Sequence, residues 1–291
     1  ALTSHASSRR PVCSTVHAGP RAGTGLAFNH RASNFSPTPA HSSRGAHAAR
    51  SRSQVKPCTT RCTGGVSGAL LGKVIGLFIL GGLQGLLGWY MVQSGLVDLP
   101  HVSQYRLTAH LVAAVVIYSY ILWVAFPLVS RKDDRAGPSA VGGSAITAVL
   151  LIFLTLLSGG FVAGLKAGFA FNTFPLMAGQ FVPPGYFALD PVWRNFFDNI
   201  PAVQFNHRYI GVVTYLMLWI FILRAWGDVV LGRHRLTLVL LLLTATAQGL
   251  LGIATLLLHV PVVLAAAHQG VALLLLTFAL YLAYLARRQV D

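Results

Sequence analysis

The sequence predicts an all-α membrane protein, a polytopic helix bundle with about six transmembrane helices. Of its 291 residues, 54% are hydrophobic and only 10% are charged, and the mean hydropathy of +0.63 is too high for a soluble globule. Leu-, Val- and Ala-rich segments of about 20 residues recur, and this is the length that a helix needs to cross hydrocarbon. We place these segments at about 74–95, 107–129, 141–165, 203–225, 236–258 and 262–286.

Residues 1–62 differ in composition from the rest of the chain. They hold nine of the 22 Lys and Arg residues and no acidic residue, and they are rich in Ser, Ala, Gly and Pro. Such a disordered leader cannot build a core and is typical of an organellar transit peptide. A basic tail or a misjoined exon is the alternative. All three cysteines lie in this leader, so the membrane body has no disulfide and no thiolate metal ligand.

The net charge of +15 comes largely from the leader. The remaining basic residues follow the membrane topology and indicate no nucleic-acid surface. Nine of them lie on one side of the predicted spans: Lys73, Arg131, Lys132, Arg135, Arg224, Arg233, Arg235, Arg287 and Arg288. By the positive-inside rule this is the inner side, and both termini of the membrane body lie there.

A five-residue sequence, Gln-Gly-Leu-Leu-Gly, occurs twice, at 84–88 and at 248–252. Each copy lies in one predicted span, and the span that follows carries a lone histidine, His110 or His268. The repeat indicates a pseudo-symmetric bundle with a ligand site in each half. Gln84 and Gln248 are polar groups within apolar spans, so we expect them to form hydrogen bonds across helices.

Three histidines are expected at the same depth in the membrane. His110, His207 and His268 each lie within about two turns of the outer end of a predicted span, on the second, fourth and sixth spans. A haem iron takes one imidazole on each face of the porphyrin, from helices that face each other. The pattern therefore favours haem ligation. For each histidine alone, an interfacial position with hydrogen bonds to water or headgroups is the alternative.

Two arginines lie beside these histidines on the outer side. Arg106 precedes His110 by one helical turn, and Arg208 directly follows His207. Guanidinium groups pair well with the propionates of a haem, and snorkelling to lipid headgroups is the alternative.

Two glycine stripes and one aromatic connection complete the pattern. The stripes at 81, 85 and 88 and at 160, 164 and 168 allow either close helix packing or room for a flat macrocycle. The aromatic-rich connection from about 166 to 202 is predicted to cover the haem edge, with a simple interfacial anchor as the alternative.

Several polar motifs occur in order along the spans. They lie at 84–92, 102–110, 158–165, 172–177, 204–208 and 267–269. Together they resemble heme A synthase of the mitochondrial type, over about 74–286. The resemblance implies an eight-helix protein of two four-helix halves, which oxidises the C8 methyl group of haem o to the formyl group of haem a during cytochrome c oxidase assembly.

The resemblance also implies roles for particular residues. His207 and His268 would bind a haem b cofactor in a C-terminal half-bundle at 136–291, with Arg208 beside them. His110 would be the catalytic residue of the haem o site, with Arg106 beside it, in the part of the N-terminal half at 63–135. All three histidines are then candidate iron ligands.

The same resemblance places the protein in the inner mitochondrial membrane, with the inner side facing the matrix. It implies a ferredoxin-like electron donor, besides haem o and the lipid bilayer. Heme O synthase and a second copy of this chain are further candidate partners.

The chain departs from the family pattern in its first helix pair. Spans one and two match spans five and six, so we expect a counterpart of spans three and four upstream of residue 74. That pair would carry the other substrate-site histidine and a glutamate, and this chain contains no glutamate. A non-catalytic haem b-binding protein is therefore the main alternative to the enzyme. A b-type electron-transfer subunit and a histidine-bearing transporter are disfavoured, because only one complete ligand pair exists and the spans lack further charged groups.

Overall fold

The computed structural model describes residues 68–93, 102–130 and 139–287. These residues form six long helices: α1 (Gly68–Gln93), α2 (Gln104–Val129), α3 (Gly142–Gly164), α4 (Ile200–Trp226), α5 (Arg235–Leu257) and α6 (Val262–Arg287). Short 3-10 turns occur in the connections, and the described residues contain no strand beyond one isolated bridge between Met177 and Gln180. The predicted all-α class is confirmed. The predicted leader lies outside the described residues.

All six helices are long and apolar enough to cross a membrane, with mean hydropathies from 1.7 to 2.4. The predicted multi-pass bundle is therefore confirmed. The predicted bounds agree with the structure within a few residues, except that α1 begins at Gly68 and not near residue 74. Lys73 lowers the local hydropathy, which places the start of the predicted span too late. A lysine side chain can extend along the surface of a helix, so the helix itself continues past this residue.

Helices α3 to α6 form a closed ring in which each helix packs against two neighbours. Contacts join α3 to α4, α4 to α5, α5 to α6, and α6 back to α3. Helix α2 packs against α3 and α6, and α1 packs against α2. Helix α1 has no buried residue. The four-helix ring is therefore the best-packed part of the described chain.

The apolar core lies at one end of this ring, which we call the core end. It is built where α3 and α5 begin and where α4 and α6 end, and its fully buried members include Leu218, Leu238, Leu241, Leu276 and Leu282. The opposite end, where α1, α3 and α5 end and α2, α4 and α6 begin, contains the three histidines, and we call it the histidine end. Tight apolar packing at the core end holds the helices in register and leaves the histidine end to polar side chains.

Close helix packing explains two of the predicted glycine positions. A Cβ atom on Gly164 would lie 2.5 Å from the Gln104 Cα atom, and one on Gly160 would lie 2.9 Å from Thr108 Oγ1. Glycines four residues apart on α3 thus let the backbone of α2 approach closely. The other stripe differs, because a Cβ on Gly81 or Gly85 would have no neighbour within 4 Å among the described residues.

The Gly164 contact generates a first prediction. Gly164→Ala should destabilise the protein by about 1–3 kcal/mol, because the new methyl group meets backbone that cannot rotate away. Thermal unfolding of the purified protein in lipid nanodiscs measures the effect. Gly143→Ala is the matched control, since its Cβ meets nothing within 4 Å on the same helix. Equal melting temperatures for the two variants would contradict the packing role.

Candidate functional site

Each of the three predicted histidines lies against a glycine of the preceding helix. A Cβ atom on the glycine would stand close to Cε1 of the imidazole: 3.0 Å for Gly88 and His110, 3.2 Å for Gly159 and His207, and 2.9 Å for Gly252 and His268. The histidines are the seventh residue of α2, the eighth of α4 and the seventh of α6. Each glycine is the sixth residue from the end of its helix. The three contacts therefore occupy the same depth of the histidine end.

The repeated Gln-Gly-Leu-Leu-Gly sequence provides two of these contacts in the same way. Gln84 Nε2 lies 3.1 Å from His110 Nδ1 and also donates to the His110 carbonyl at 2.8 Å. Gln248 Nε2 lies 3.4 Å from His268 Nε2. The glutamine and the second glycine of each copy are four residues apart and so share one helix face. The predicted hydrogen bonds of both glutamines across helices are present.

His207 and His268 face each other within the four-helix ring. Their ring centroids are 6.5 Å apart and the ring planes are nearly perpendicular, at 86°. With metal–nitrogen bonds of about 2.0 Å and about 1.1 Å from nitrogen to ring centre, two imidazoles on opposite sides of one metal ion place their centroids about 6.2 Å apart. The observed separation thus fits one metal ion held between the two rings.

The described residues do not form a metal site in which protein side chains supply all the ligands. No group of three or more His, Cys, Asp or Glu residues in the described segments could hold a metal ion. Two facing imidazoles suit a metal whose other ligands belong to a macrocycle, which is the ligand set of a bis-histidine haem. The residues present therefore fit a haem.

Unpartnered polar atoms at the histidine end support the same conclusion. Among the described residues, the buried side-chain atoms without a hydrogen-bond partner include Gln204 Oε1, Arg208 Nε, Gln248 Oε1, Thr255 Oγ1 and His268 Nδ1. All five belong to the first turns of α4 and α6 or to the second half of α5. Buried polar atoms are costly when unpaired. A bound polar group at this end would supply the missing partners.

His110 is not part of this pair. Its ring contacts Gly88 and Gln84 of α1, whereas Thr108 and Leu111 of the same helix contact Gly160 of α3. On α3, Gly159 contacts His207 and the adjacent Gly160 contacts α2. Helix α3 thus separates the His110 position from the His207–His268 pair, so the chain offers two sites at one depth.

The two predicted arginines have different surroundings. The Arg106 guanidinium carbon lies 5.4 Å from the centre of the Tyr90 ring, beside the His110 site. Arg208 donates from Nη1 to the Thr173 carbonyl at 2.7 Å and from Nη2 to the Phe171 carbonyl at 2.5 Å. Arg208 thus holds the aromatic connection against α4, and only its buried Nε lacks a partner.

The aromatic connection is attached across the histidine end. Gln204 Nε2 also donates to the Phe171 carbonyl, at 3.1 Å, and Asn172 Nδ2 donates to the Leu256 carbonyl of α5 at 2.8 Å. Further along, Tyr186 donates to Asn206 Oδ1 of α4 at 2.6 Å. The connection therefore lies over the ends of α4 and α5, above the facing histidines.

Asp198 joins the end of this connection to α2. Its Oδ1 accepts hydrogen bonds from Tyr105 at 2.7 Å and from Gln104 Nε2 at 2.9 Å, and its Oδ2 accepts one from Arg194 Nε at 3.2 Å. Partial burial by itself raises the pKa of Asp198, but these hydrogen bonds outweigh it and hold the pKa below its usual value. Asp198 is therefore a charged link between α2 and the start of α4.

Comparisons with known proteins identify the family of the chain. Residues 55–280 match the model of the COX15-CtaA family, described as cytochrome oxidase assembly protein. The chain belongs to this family. It is 51% identical over 220 residues to the heme A synthase of Nitrosospira multiformis, covering 75% of this chain and 62% of that protein. It is 50% identical over 217 residues to the heme A synthase of Nitrosomonas eutropha, covering 73% and 61%.

This family member spans about three fifths of the length of the curated relatives it matches. A further relative, the heme A synthase of Rhodospirillum centenum, is 44% identical over 228 residues, which are 77% of this chain and 60% of that protein. The predicted resemblance to heme A synthase is confirmed at the level of the family.

Sequence reasoning missed two functional details of this member of the family. The sequence interpretation assigned glycines only to helix packing or to ligand space, although a glycine that recurs as the sixth residue from the end of α1, α3 and α5 is a usable signal. Asp198 was also missed, and the sequence carries little signal for it, because its partners Gln104 and Tyr105 lie more than 90 residues away.

The Gly252 contact generates a second prediction. Gly252→Ala should lower haem affinity roughly tenfold, because the added methyl group displaces the His268 ring from its position. Titration of the purified apoprotein with haem measures the effect. Gly249→Ala, in the same five-residue motif, is the matched control because its Cβ has no described neighbour within 4 Å. Unchanged affinity in Gly252→Ala would contradict the positioning of His268 by this glycine.

Asp198 generates a third prediction. Since its pKa is lower in the folded protein than its usual value of about 3.9, its contribution to stability is fully present above about pH 4. That contribution is lost as the pH falls through the lowered pKa. Asp198→Ala should cost about 1–3 kcal/mol at neutral pH and show a shallower loss of melting temperature below pH 4.

The control for this measurement is Asp190→Ala, because Asp190 is exposed in the same connection. Melting temperatures of the three proteins between pH 3 and pH 7 are compared. If the melting temperatures of the wild type and of Asp198→Ala change with pH in the same way, Asp198 is not a charged link between α2 and the start of α4.

Proposed function

We propose that this chain acts in haem A biosynthesis, as a heme A synthase that oxidises the C8 methyl group of haem o to a formyl group. The observation that carries the proposal is the facing pair His207 and His268, with centroids 6.5 Å apart, in a chain of this family. The name of its relatives, heme A synthase, supports the same assignment.

In this proposal the chain holds haem b through His207 and His268. When bound, that group supplies one-electron transfer. Gly159 and Gly252 leave room for the two rings, and Gln248 contacts His268. The buried Nε of Arg208, one residue from His207, is the cation available to a propionate. The aromatic connection, held over this end by Arg208 and Asn172, excludes water from the site.

The substrate haem o is assigned to the His110 side of α3. Gln84 Nε2 lies 3.4 Å from His110 Nε2, as Gln248 Nε2 does from His268 Nε2, and Gly88 and Gly252 each face a ring carbon, so the two histidines share these contacts. His110 is the proposed catalytic residue because it would ligate or orient the haem whose methyl group is oxidised. Arg106 lies one turn from it and would pair with a propionate of the substrate.

The proposal extends to location and partners. We assign the protein to the inner mitochondrial membrane, with both ends of the membrane body in the matrix, from its acid-free basic leader and the side of its basic residues. A ferredoxin-like electron donor, heme O synthase and a second copy of this chain are the proposed partners, within the lipid bilayer.

A non-catalytic haem b-binding protein is the second candidate function. The observation that favours it is that, within the described segments, no second imidazole makes a ring contact with His110, in contrast to the His207–His268 pair. Incubating the haem-loaded chain with haem o, dioxygen as the oxidant and a ferredoxin system as the electron donor separates the candidates, because only the enzyme yields haem a by chromatography.

The haem pair generates a fourth prediction. His207→Ala and His268→Ala should each abolish the low-spin haem spectrum of the purified protein, because one axial ligand is then missing. His234→Ala is the control, since this histidine lies in the turn between α4 and α5 at the core end. A wild-type protein without a Soret band, or a His268→Ala variant with an unchanged spectrum, would overturn the haem assignment.

A further inference from the structure

His207 has a hydrogen-bond partner of a different kind from the other two histidines. Its Nδ1 lies 2.8 Å from Ser158 Oγ, and Ser158 Oγ lies 2.8 Å from the Thr155 carbonyl one turn earlier on α3. His110 and His268 are contacted instead by glutamine amides. Ser158 directly precedes Gly159, the glycine on which the His207 ring rests.

The number of hydrogen atoms on these groups limits which of them can donate in each hydrogen bond. A serine hydroxyl has one hydrogen to donate, and a carbonyl oxygen can only accept. The structure places the Ser158 hydroxyl as donor to the Thr155 carbonyl, which leaves only its lone pairs for His207, so we assign the hydrogen between Ser158 and His207 to the imidazole Nδ1. The other ring nitrogen, Nε2, is then unprotonated and has a lone pair to give to a metal.

We propose that Ser158 is a positioning residue that holds His207 in the tautomer protonated on Nδ1 and so keeps Nε2 free for iron. The inference deepens the proposed function and rests on it for the metal, but the tautomer itself is a property of the protein alone. Ser158 acts through His207 and does not touch the iron.

The two axial histidines are consequently unequal. Ser158 Oγ lies beside Nδ1 of His207, whereas among the described residues the side-chain contact of His268 is the Gln248 amide, 3.4 Å from its Nε2. A hydrogen bond from the outer ring nitrogen raises the electron donation of an imidazole to its metal. Ser158 should therefore stabilise the ferric over the ferrous state and lower the midpoint potential of the haem.

The substitution that tests this inference has structural room. Ser158 lines a cavity of about 260 Å³ between α3, α4 and the aromatic connection, together with Leu154, Phe161 and Asn206. This cavity provides space beside Ser158 for an added methyl group. Ser158→Thr therefore retains the hydroxyl without overpacking, and Ser158→Ala removes it.

The first measurement needs no haem. Nitrogen-15 spectra of the histidine-labelled apoprotein in nanodiscs, with His207 assigned by His207→Gln, should show His207 protonated on Nδ1. Ser158→Ala should shift that population toward protonation on Nε2, and Ser158→Thr should restore the wild-type spectrum. A wild-type His207 protonated on Nε2 overturns the inference, whatever the protein binds.

The second measurement is potentiometric titration of the haem-loaded protein. Ser158→Ala should lose about 10–100-fold in haem affinity. Its midpoint potential should become more positive, and a tenfold loss of ferric preference corresponds to about 59 mV. Ser158→Thr should restore both values. Thr147→Ala is the control, because Thr147 makes a similar hydrogen bond to the Gly143 carbonyl on an exposed part of α3.

The outcomes separate this inference from the proposed function. A lower melting temperature in Ser158→Ala with an unchanged midpoint potential means a structural role only, and overturns the inference while the haem assignment stands. A wild-type protein that takes up no haem overturns the proposed function, and the tautomer spectrum then still decides the role of Ser158.

Discussion

The contact between a glycine on one helix and an imidazole on the next is the constraint on which the site depends. An imidazole that lies between two membrane helices needs space that any Cβ atom would occupy. The chain removes that Cβ at Gly88, Gly159 and Gly252, where it would stand 2.9 to 3.2 Å from a ring carbon. Since each contact forms at the same depth, the helix pairs must be in one register. The apolar core end provides that register by packing the other halves of α3 to α6.

Helix α3 shows how one helix serves two sites. Two consecutive glycines of α3 lie on different faces of the helix. Gly159 contacts the His207 ring on one face, and Gly160 contacts Thr108 and Leu111 of α2 on the other. Gly164 then brings the backbones of α2 and α3 together, and the Asp198 link holds α2 to the start of α4 at the same end. These contacts fix where the His110 position lies relative to the facing pair.

Much of the site was predictable because its signals are local and repeated. The two Gln-Gly-Leu-Leu-Gly copies predicted equivalent environments for His110 and His268, and the glutamine contacts agree. The hydropathy of the spans predicted six helices, all present. The partner of His207 was not predictable in the same way. A serine beside two glycines is common in membrane helices, and only the crossing of α3 and α4 brings its hydroxyl to the imidazole.

The amino-acid sequence by itself determined the class of the protein, the number of helices and the depth of each histidine, because these depend on composition and on position along one helix. Only the tertiary structure decided that His207 faces His268 while His110 faces α1, and that Arg208 holds Phe171 and Thr173. The physical reason is the rotation of each helix about its own axis. Depth follows from the rise per residue, but the direction of a side chain around its helix depends on which neighbours pack against it, and those are distant in sequence.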